Sequence, residues 1–190
     1  SKFPINVISK NFYFLDTNEH DQARFIDVKI LNYRIVCIYA PNGNPIDSIK
    51  YEYKIKWLEQ FKNYCKKLYD SNERVVIGGD FNIIHEEIDC YDPKEWENDA
   101  LFSNNSRRIL NEILNIGFVD SFRCLNPNLK SYTFWDYQNG AWQKDNGIRI
   151  DLLLLSPESS DLLESTGIDK DLRALQRPSD HTPTWIKLKN

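Results

Sequence analysis

The chain has 190 residues, 41% hydrophobic and 27% charged, a balance that excludes a disordered tail, a collagen-like fibre and a disulfide-stapled miniprotein. Its 24 Lys and Arg against 28 Asp and Glu leave a net charge of −4, which argues against wholesale coating of nucleic acid or anionic membrane but permits a local basic patch. No stretch approaches the ~18 consecutive apolar residues of a membrane span; the longest run is only Leu152 to Leu155.

A domain holds roughly 100–200 residues, so a single domain over residues 1–190 is expected, large enough for a core without staples. No repeat, low-complexity tract or Gly/Ser linker divides it. The opening Ser1-Lys2-Phe3-Pro4-Ile5 lacks the basic-then-apolar pattern of a signal peptide. The chain has no methionine at all, so Ser1 is not expected to be the biological start. Cys37, Cys65, Cys90 and Cys124 show neither zinc spacing nor Cys-x-x-Cys, so reduced thiols in the cytoplasm are expected. Cys37, in an apolar run, reads as a small core residue.

In chain order, residues 24–31 and 34–40 predict two strands joined at Asn32-Tyr33 as a hairpin, although Phe25, Val28 and Ile30 break strict alternation in the first. Residues 49–69 predict a helix, with Trp57, Phe61, Tyr64 and Leu68 forming one aromatic core stripe. Val75-Val76-Ile77-Gly78-Gly79 predicts a buried strand. Residues 80–102 form a long polar loop of functional length. Ser106 is placed as N-cap of a helix over residues 107–116, ended by Gly117. Residues 132–136, 149–155 and 184–188 predict further strands, giving a layered α/β protein.

Three places put carboxylates at the ends of hydrophobic strands: Asp80 after Gly78-Gly79, Asp151 within Ile148-Arg149-Ile150-Asp151-Leu152, and Asp180-His181 just before the last strand. A structural role is open to each. Asp80-Phe81-Asn82 suits an Asx turn, Asp151 suits an ion pair with Arg149 or Arg123, and Ser179-Asp180 suits a turn cap. His20 and His85 read as surface or loop histidines. Together, however, three carboxylates, an amide and an imidazole fit a divalent-cation site with an adjacent acid–base group. Such oxygen donors favour Mg²⁺ or Mn²⁺ over zinc.

The series Tyr39-Ala40-Pro41-Asn42-Gly43, Gly79-Asp80-Phe81-Asn82-Ile83, Asp120-Ser121-Phe122-Arg123, Tyr132-Thr133-Phe134-Trp135-Asp136-Tyr137, Arg149-Ile150-Asp151 and Ser179-Asp180-His181 resembles exonuclease III, the abasic-site endonuclease branch of the endonuclease/exonuclease/phosphatase superfamily. The resemblance implies a four-layered α/β sandwich, two facing mixed β-sheets flanked by helices. It implies that Asp80 orients and deprotonates the attacking water, with Asn82 on the phosphate. His181 would bind the scissile phosphate, Asp151 would orient that imidazole, Asp180 would help bind Mg²⁺ or Mn²⁺, and Tyr39 would donate its hydroxyl. Phe134, Trp135 and Ile148 would wall the pocket for a flipped-out abasic sugar, while Arg149, Arg107, Arg108 and Lys130 are candidates for backbone contact. The implied activity is incision of duplex DNA 5′ to abasic sites, with 3′-exonuclease and 3′-phosphatase action, by a monomer that binds no membrane. An inositol-phosphate or sphingomyelin phosphodiesterase is a weaker contender.

The family also begins with an Asn-bearing strand, then a helix and a strand ending in Gln-Glu, whose Glu is the principal metal ligand. Nothing here matches either motif, so the domain is expected to lack its N-terminal quarter to third. A fragment that only binds DNA or a partner, without hydrolysis, is therefore the alternative function.

Overall fold

The computed structural model describes residues 1–10 and 22–189; His20 lies outside the described residues. Strand β1 (Asn6–Ser9) pairs antiparallel with β2 (Phe25–Ile30), which turns at Leu31-Asn32 into β3 (Tyr33–Tyr39). The expected hairpin forms, and its broken alternation has a cause. Asp27 is buried among the apolar residues of β2, held by two nitrogens of Arg34 and by the Tyr64 hydroxyl. A polar residue thus occupies an inward position because it is ion-paired.

Ser48 caps α1 (Ile49–Asp70), which crosses over the sheet to β4 (Arg74–Asp80), and β4 runs parallel to β3. The expected stripe is core: Trp57 stacks on Phe61 at 5.4 Å, and Leu68 is buried behind them. The long loop after β4 is less irregular than its composition suggests, carrying 3₁₀ turns at Glu87–Asp89 and Pro93–Trp96. Helix α2 (Asn104–Ile116) begins three residues before the expected start, because Ser103 rather than Ser106 is the N-cap. The Ser103 hydroxyl accepts from the Ser106 amide at 3.3 Å, and Gly117 ends the helix at φ +131°. Ser103→Ala should therefore lower stability by about 1 kcal/mol, read as a shifted urea midpoint at unchanged m-value.

Strand β5 (Val119–Asp120) leads into α3 (Ser121–Leu125), whose first amides donate to the Asp120 carboxylate. The expected strand over residues 132–136 does not form. Only Phe134 makes isolated bridges, one to Ile148 and one to His181, since the backbone there serves two different neighbours instead of one ladder. After α4 (Ala141–Lys144), β6 (Asp151–Leu155) starts two residues later than expected and is followed by α5 (Pro157–Ser160). The hairpin of β7 (Leu163–Ile168) and β8 (Thr184–Leu188) closes the chain.

The large mixed sheet has the order β1-β2-β3-β4-β6-β5, and β7-β8 forms a second, antiparallel sheet against β6 and α3. Helices α1 and α2 pack Trp57, Phe61, Ile109 and Ile113 over Val36, Ile38, Val75, Ile77, Leu152 and Leu154. Each such side chain contributes roughly 1.5–3 kcal/mol on burial. Strand alternation puts Val36 and Ile38 into this core and turns Cys37 outward, so Cys37 is exposed rather than a core residue. The result is the expected α/β sandwich class, helices laid on a large mixed sheet.

Candidate active site

Strand register builds one half of the site. Tyr39 ends β3 opposite Asp80, and Asp80 ends β4 opposite Asp151, the first residue of β6. Directly opposed residues share a face of the sheet, so three candidate residues stand in a row across three adjacent strands. Gly79 makes the row possible: at φ +139°, a Cβ there would lie 2.0 Å from the Ile38 carbonyl oxygen. Beyond the strand the Asx turn does form, with the Asn82 amide donating to Asp80 Oδ1 at 2.8 Å. Turn and site are the same structure. Asn82 adopts φ +49°, and its side-chain amide donates to Asp80 Oδ2 at 3.0 Å and to the Ala40 carbonyl at 2.9 Å. Asn42 in turn donates to Asn82 Oδ1 at 3.3 Å.

Burial, and then the charge of Asp151, push the Asp80 carboxyl up to about 6, against the pull of the Asn82 amide, His181 and Lys54. A carboxylate with that affinity for protons is ionised at neutral pH and basic enough to accept one.

The other half joins Asp151 to His181. Asp151 makes no pair with Arg149 or Arg123, because both bind Asp89. Instead His181 Nδ1 donates to Asp151 Oδ2 at 2.8 Å, which leaves Nε2 for another partner. Burial opposes charge on this imidazole, but the hydrogen bond to Asp151 and the charges of Asp151, Asp80 and Asp180 outweigh it and raise its pKa. Residues 132–135 hold the pair in place. The Thr133 hydroxyl accepts from the amides of Ile150 and Asp151, the Thr133 carbonyl from Thr182, and the Asp180 carbonyl from the Trp135 amide. The rings of Phe134 and His181 meet edge to face at 5.0 Å. Asp180 is only partly buried beside them, and its Oδ1 accepts from Ser179 Oγ at 3.4 Å.

Other expected site residues fall elsewhere. Trp135 is fully buried and donates its indole N–H to Asp145, so it backs the site without walling it. Ile148 is buried but still lines, with Phe134, Tyr91, Trp96 and Ala141, a cavity of about 320 Å³. Arg149 is 1% exposed and locked between Asp89 and Asp120, which removes it from any contact with a DNA backbone. Arg108 pairs with Glu59 and Glu112 on a solvated face, Arg107 donates to the His85 carbonyl and Lys130 to the Tyr91 carbonyl. His85 is a buried structural residue rather than a surface one, 2.8 Å from Asn111 Oδ1. Sequence reasoning missed Asn42, Thr133 and Lys54. Lys54 carried a signal: three residues before Trp57, it lies on the same helical stripe.

A family model described as Endonuclease/Exonuclease/phosphatase family matches residues 1–181. The chain is 34% identical over 186 residues to the exodeoxyribonuclease of Bacillus subtilis, which covers 96% of this chain and 69% of that protein. An AP endonuclease structure from Archaeoglobus fulgidus superposes with a TM-score of 0.91 at 35% identity, covering 99% of this chain and 72% of that one. The structure of the 3′ phosphatase NExo from Neisseria bound to a product DNA hairpin gives a TM-score of 0.86 at 32% identity, with 90% and 66% covered. The chain belongs to the endonuclease/exonuclease/phosphatase family. Within it, these relatives mark an exonuclease III-type nuclease, as the motifs imply. The chain spans about two thirds to three quarters of the length of each.

Proposed function

We propose that this chain carries the water-activating and phosphate-binding part of a DNA-repair phosphodiesterase. Its substrate would be duplex DNA, incised 5′ to abasic sites, with 3′-exonuclease and 3′-phosphatase action at 3′ ends. The observation that carries the proposal is the row Tyr39, Asp80 and Asp151 with the His181 imidazole hydrogen-bonded to Asp151. Phosphodiester hydrolysis needs an in-line water, charge neutralisation on the phosphate and help for the leaving oxygen. Asp80 accepts the proton of the water. Tyr39, about half exposed, contacts the phosphate, and Asn82, whose two side-chain amide hydrogens go to Asp80 and Ala40, holds the general base in place beside it. His181 presents Nε2 to a non-bridging oxygen while Asp151 fixes its tautomer.

Nucleases of this family are generally dependent on a divalent metal. Among the described residues no three His, Cys, Asp or Glu side chains converge as a metal cage. The donors present are hard oxygens, and Asp80 and Asp151 stand opposite each other at adjacent strand ends, with burial and then the charge of Asp151 raising the Asp80 carboxyl. That fits Mg²⁺ or Mn²⁺ held as Mg²⁺ commonly is, by one or two carboxylates with water and substrate phosphate. Asp180 is the proposed ligand. When bound, the cation supplies charge neutralisation on the phosphate.

Phe134 and Ile148 line the cavity proposed to receive the abasic sugar, whose extrusion is cheap because no base pair is lost. The four cysteines are free and no helix among the described residues is long and apolar enough to cross a membrane. Free thiols suit a reducing compartment, and a cytoplasmic monomer is proposed. The test incubates the 190-residue chain, and a longer form with residues upstream, with a duplex bearing one abasic site in Mg²⁺ and then in EDTA. Metal-dependent incision at the abasic site by either is the expected result. Incision by neither overturns the proposal.

A further inference from the structure

Lys54 is a charged side chain buried beneath the loops that carry the site. It is wholly inaccessible, and its ammonium donates to three backbone carbonyls: Asn82 at 2.6 Å, Asn42 at 3.0 Å and Ala100 at 3.0 Å. The three acceptors lie on three separate connections: the loop after β3, the turn after β4 and the segment leading into α2. All three ammonium hydrogens are used, and every acceptor is neutral. A buried ammonium without a paired carboxylate is costly, but neither methionine, with no donor, nor glutamine, with two amide hydrogens, could satisfy all three carbonyls. The charges of Asp99 and Asp80 work against that cost, although burial still pushes the Lys54 pKa down to about 7.

The loop after β3 is shaped around this side chain. Gly43 sits at φ +88°, and a Cβ there would lie 2.5 Å from Lys54 Cδ and 3.1 Å from its Cβ. Two of the tied carbonyls belong to Asn42 and Asn82, whose side-chain amides form the chain of hydrogen bonds ending on Asp80. Asn82 also holds a left-handed backbone that non-glycine residues visit rarely. Its amide is fixed by Asp80 Oδ1 and its carbonyl by Lys54, so its peptide groups are pinned on both sides.

We propose that Lys54 is a positioning residue for hydrolysis. By clamping the carbonyls of Asn42, Asn82 and Ala100, it holds the Asn42 and Asn82 amides against Asp80. It touches no substrate and acts through the two asparagines. The inference rests on the role assigned to Asp80 above.

The test uses Lys54→Met, Lys54→Gln and Lys54→Arg in the incising protein, with two readouts. Lys54→Met and Lys54→Gln should lower kcat by about 10- to 100-fold with KM within twofold, since ground-state binding is untouched. Lys54→Arg, which keeps the charge and the donors, should retain most of the rate. Independently of catalysis, hydrogen exchange at the Asn82 side-chain amide should quicken at least tenfold in Lys54→Met and stay near wild type in Lys54→Arg. Should Lys54→Met fail to fold, Lys54→Gln, which keeps donors without charge, gives the same comparison. Neutral variants with wild-type kcat and unchanged exchange overturn the proposal. So does an equal loss in Lys54→Arg at unchanged melting temperature, which would make Lys54 a structural filler. If the wild-type protein cuts no abasic duplex, the proposed function fails, while the exchange readout still decides whether Lys54 positions the asparagines.

Discussion

Asp80→Asn in the incising protein should lower the single-turnover rate on an abasic duplex by about 10²–10⁴-fold, the range of a lost general base. DNA affinity should be unchanged or slightly tighter. The substitution keeps an oxygen to accept from the Asn82 backbone amide, so the turn survives, while charge, basicity and the acceptor for Asn82 Nδ2 are removed. The wild-type rate should fall about tenfold per pH unit below about 6, where burial and Asp151 place the Asp80 carboxyl, and the residual rate of the variant should lose that limb.

Stability should move the other way. A carboxyl raised from its ordinary 3.8 to about 6 on folding favours the native state below the unfolded pKa, and that contribution is lost as pH rises through the folded one. At pH 7.5, without divalent metal, the ionised Asp80 therefore destabilises the fold, by as much as ~3 kcal/mol. Asp80→Asn should raise the melting temperature at pH 7.5 and leave it nearly unchanged at pH 4. A variant that loses rate, affinity and stability together would make Asp80 a structural residue.

The sequence disclosed the pieces of this site better than their arrangement. Asp80 was legible because a continuous apolar run ending in glycines announces a strand, and a strand delivers its last residue to an edge. Asp180-His181 was legible because the final strand follows at once. What stayed hidden depends on pairing across the chain. That Tyr39, Asp80 and Asp151 share a row follows from a parallel register on one side of β4 and an antiparallel one on the other, and neither is written in local periodicity. The segment at residues 132–136 reads as a strand for its aromatic and β-branched composition, yet its backbone is divided between the Ile150-Asp151 amides and the His181 turn. Arg149 misleads for a related reason. A basic residue near a DNA site suggests phosphate contact, and only tertiary structure reveals two carboxylates, from the long loop and from β5, converging on it.

Removing Asp89 should do the greatest damage to the fold. Asp89 is fully buried on the 3₁₀ turn of the long loop, and each of its oxygens is engaged. Oδ1 accepts from Arg149 Nε at 2.7 Å and from Arg123 at 2.5 Å, Oδ2 from a second Arg149 nitrogen at 3.0 Å and from the Glu86 amide at 3.1 Å. Arg149 also reaches Asp120 at 2.8 Å, so two carboxylates balance two guanidinium groups. Asp89→Asn leaves two guanidinium groups against the single carboxylate of Asp120 in a buried site, which should cost about 3–5 kcal/mol, read from urea unfolding at pH 7. Glu112→Gln, which breaks exposed, solvent-screened pairs with Lys62 and Arg108, should leave the urea midpoint close to wild type. Burial raises the Asp89 pKa, but the charges and hydrogen bonds of Arg149 and Arg123 outweigh it and hold the carboxyl below its ordinary value. A carboxyl depressed on folding contributes stability above its unfolded pKa and loses it as pH falls through the folded one, so the gap between wild type and Asp89→Asn should be full at pH 7 and narrow below about pH 4. Arg149 stands two residues before Asp151, and its amide donates to the Asp89 carbonyl. The same variant should therefore loosen the Asp151–His181 pair, and abasic incision should fall even at temperatures where the variant remains folded. An Asp89→Asn protein as stable as wild type would mean that the buried charges are solvated in a way the packing around Arg149 does not allow.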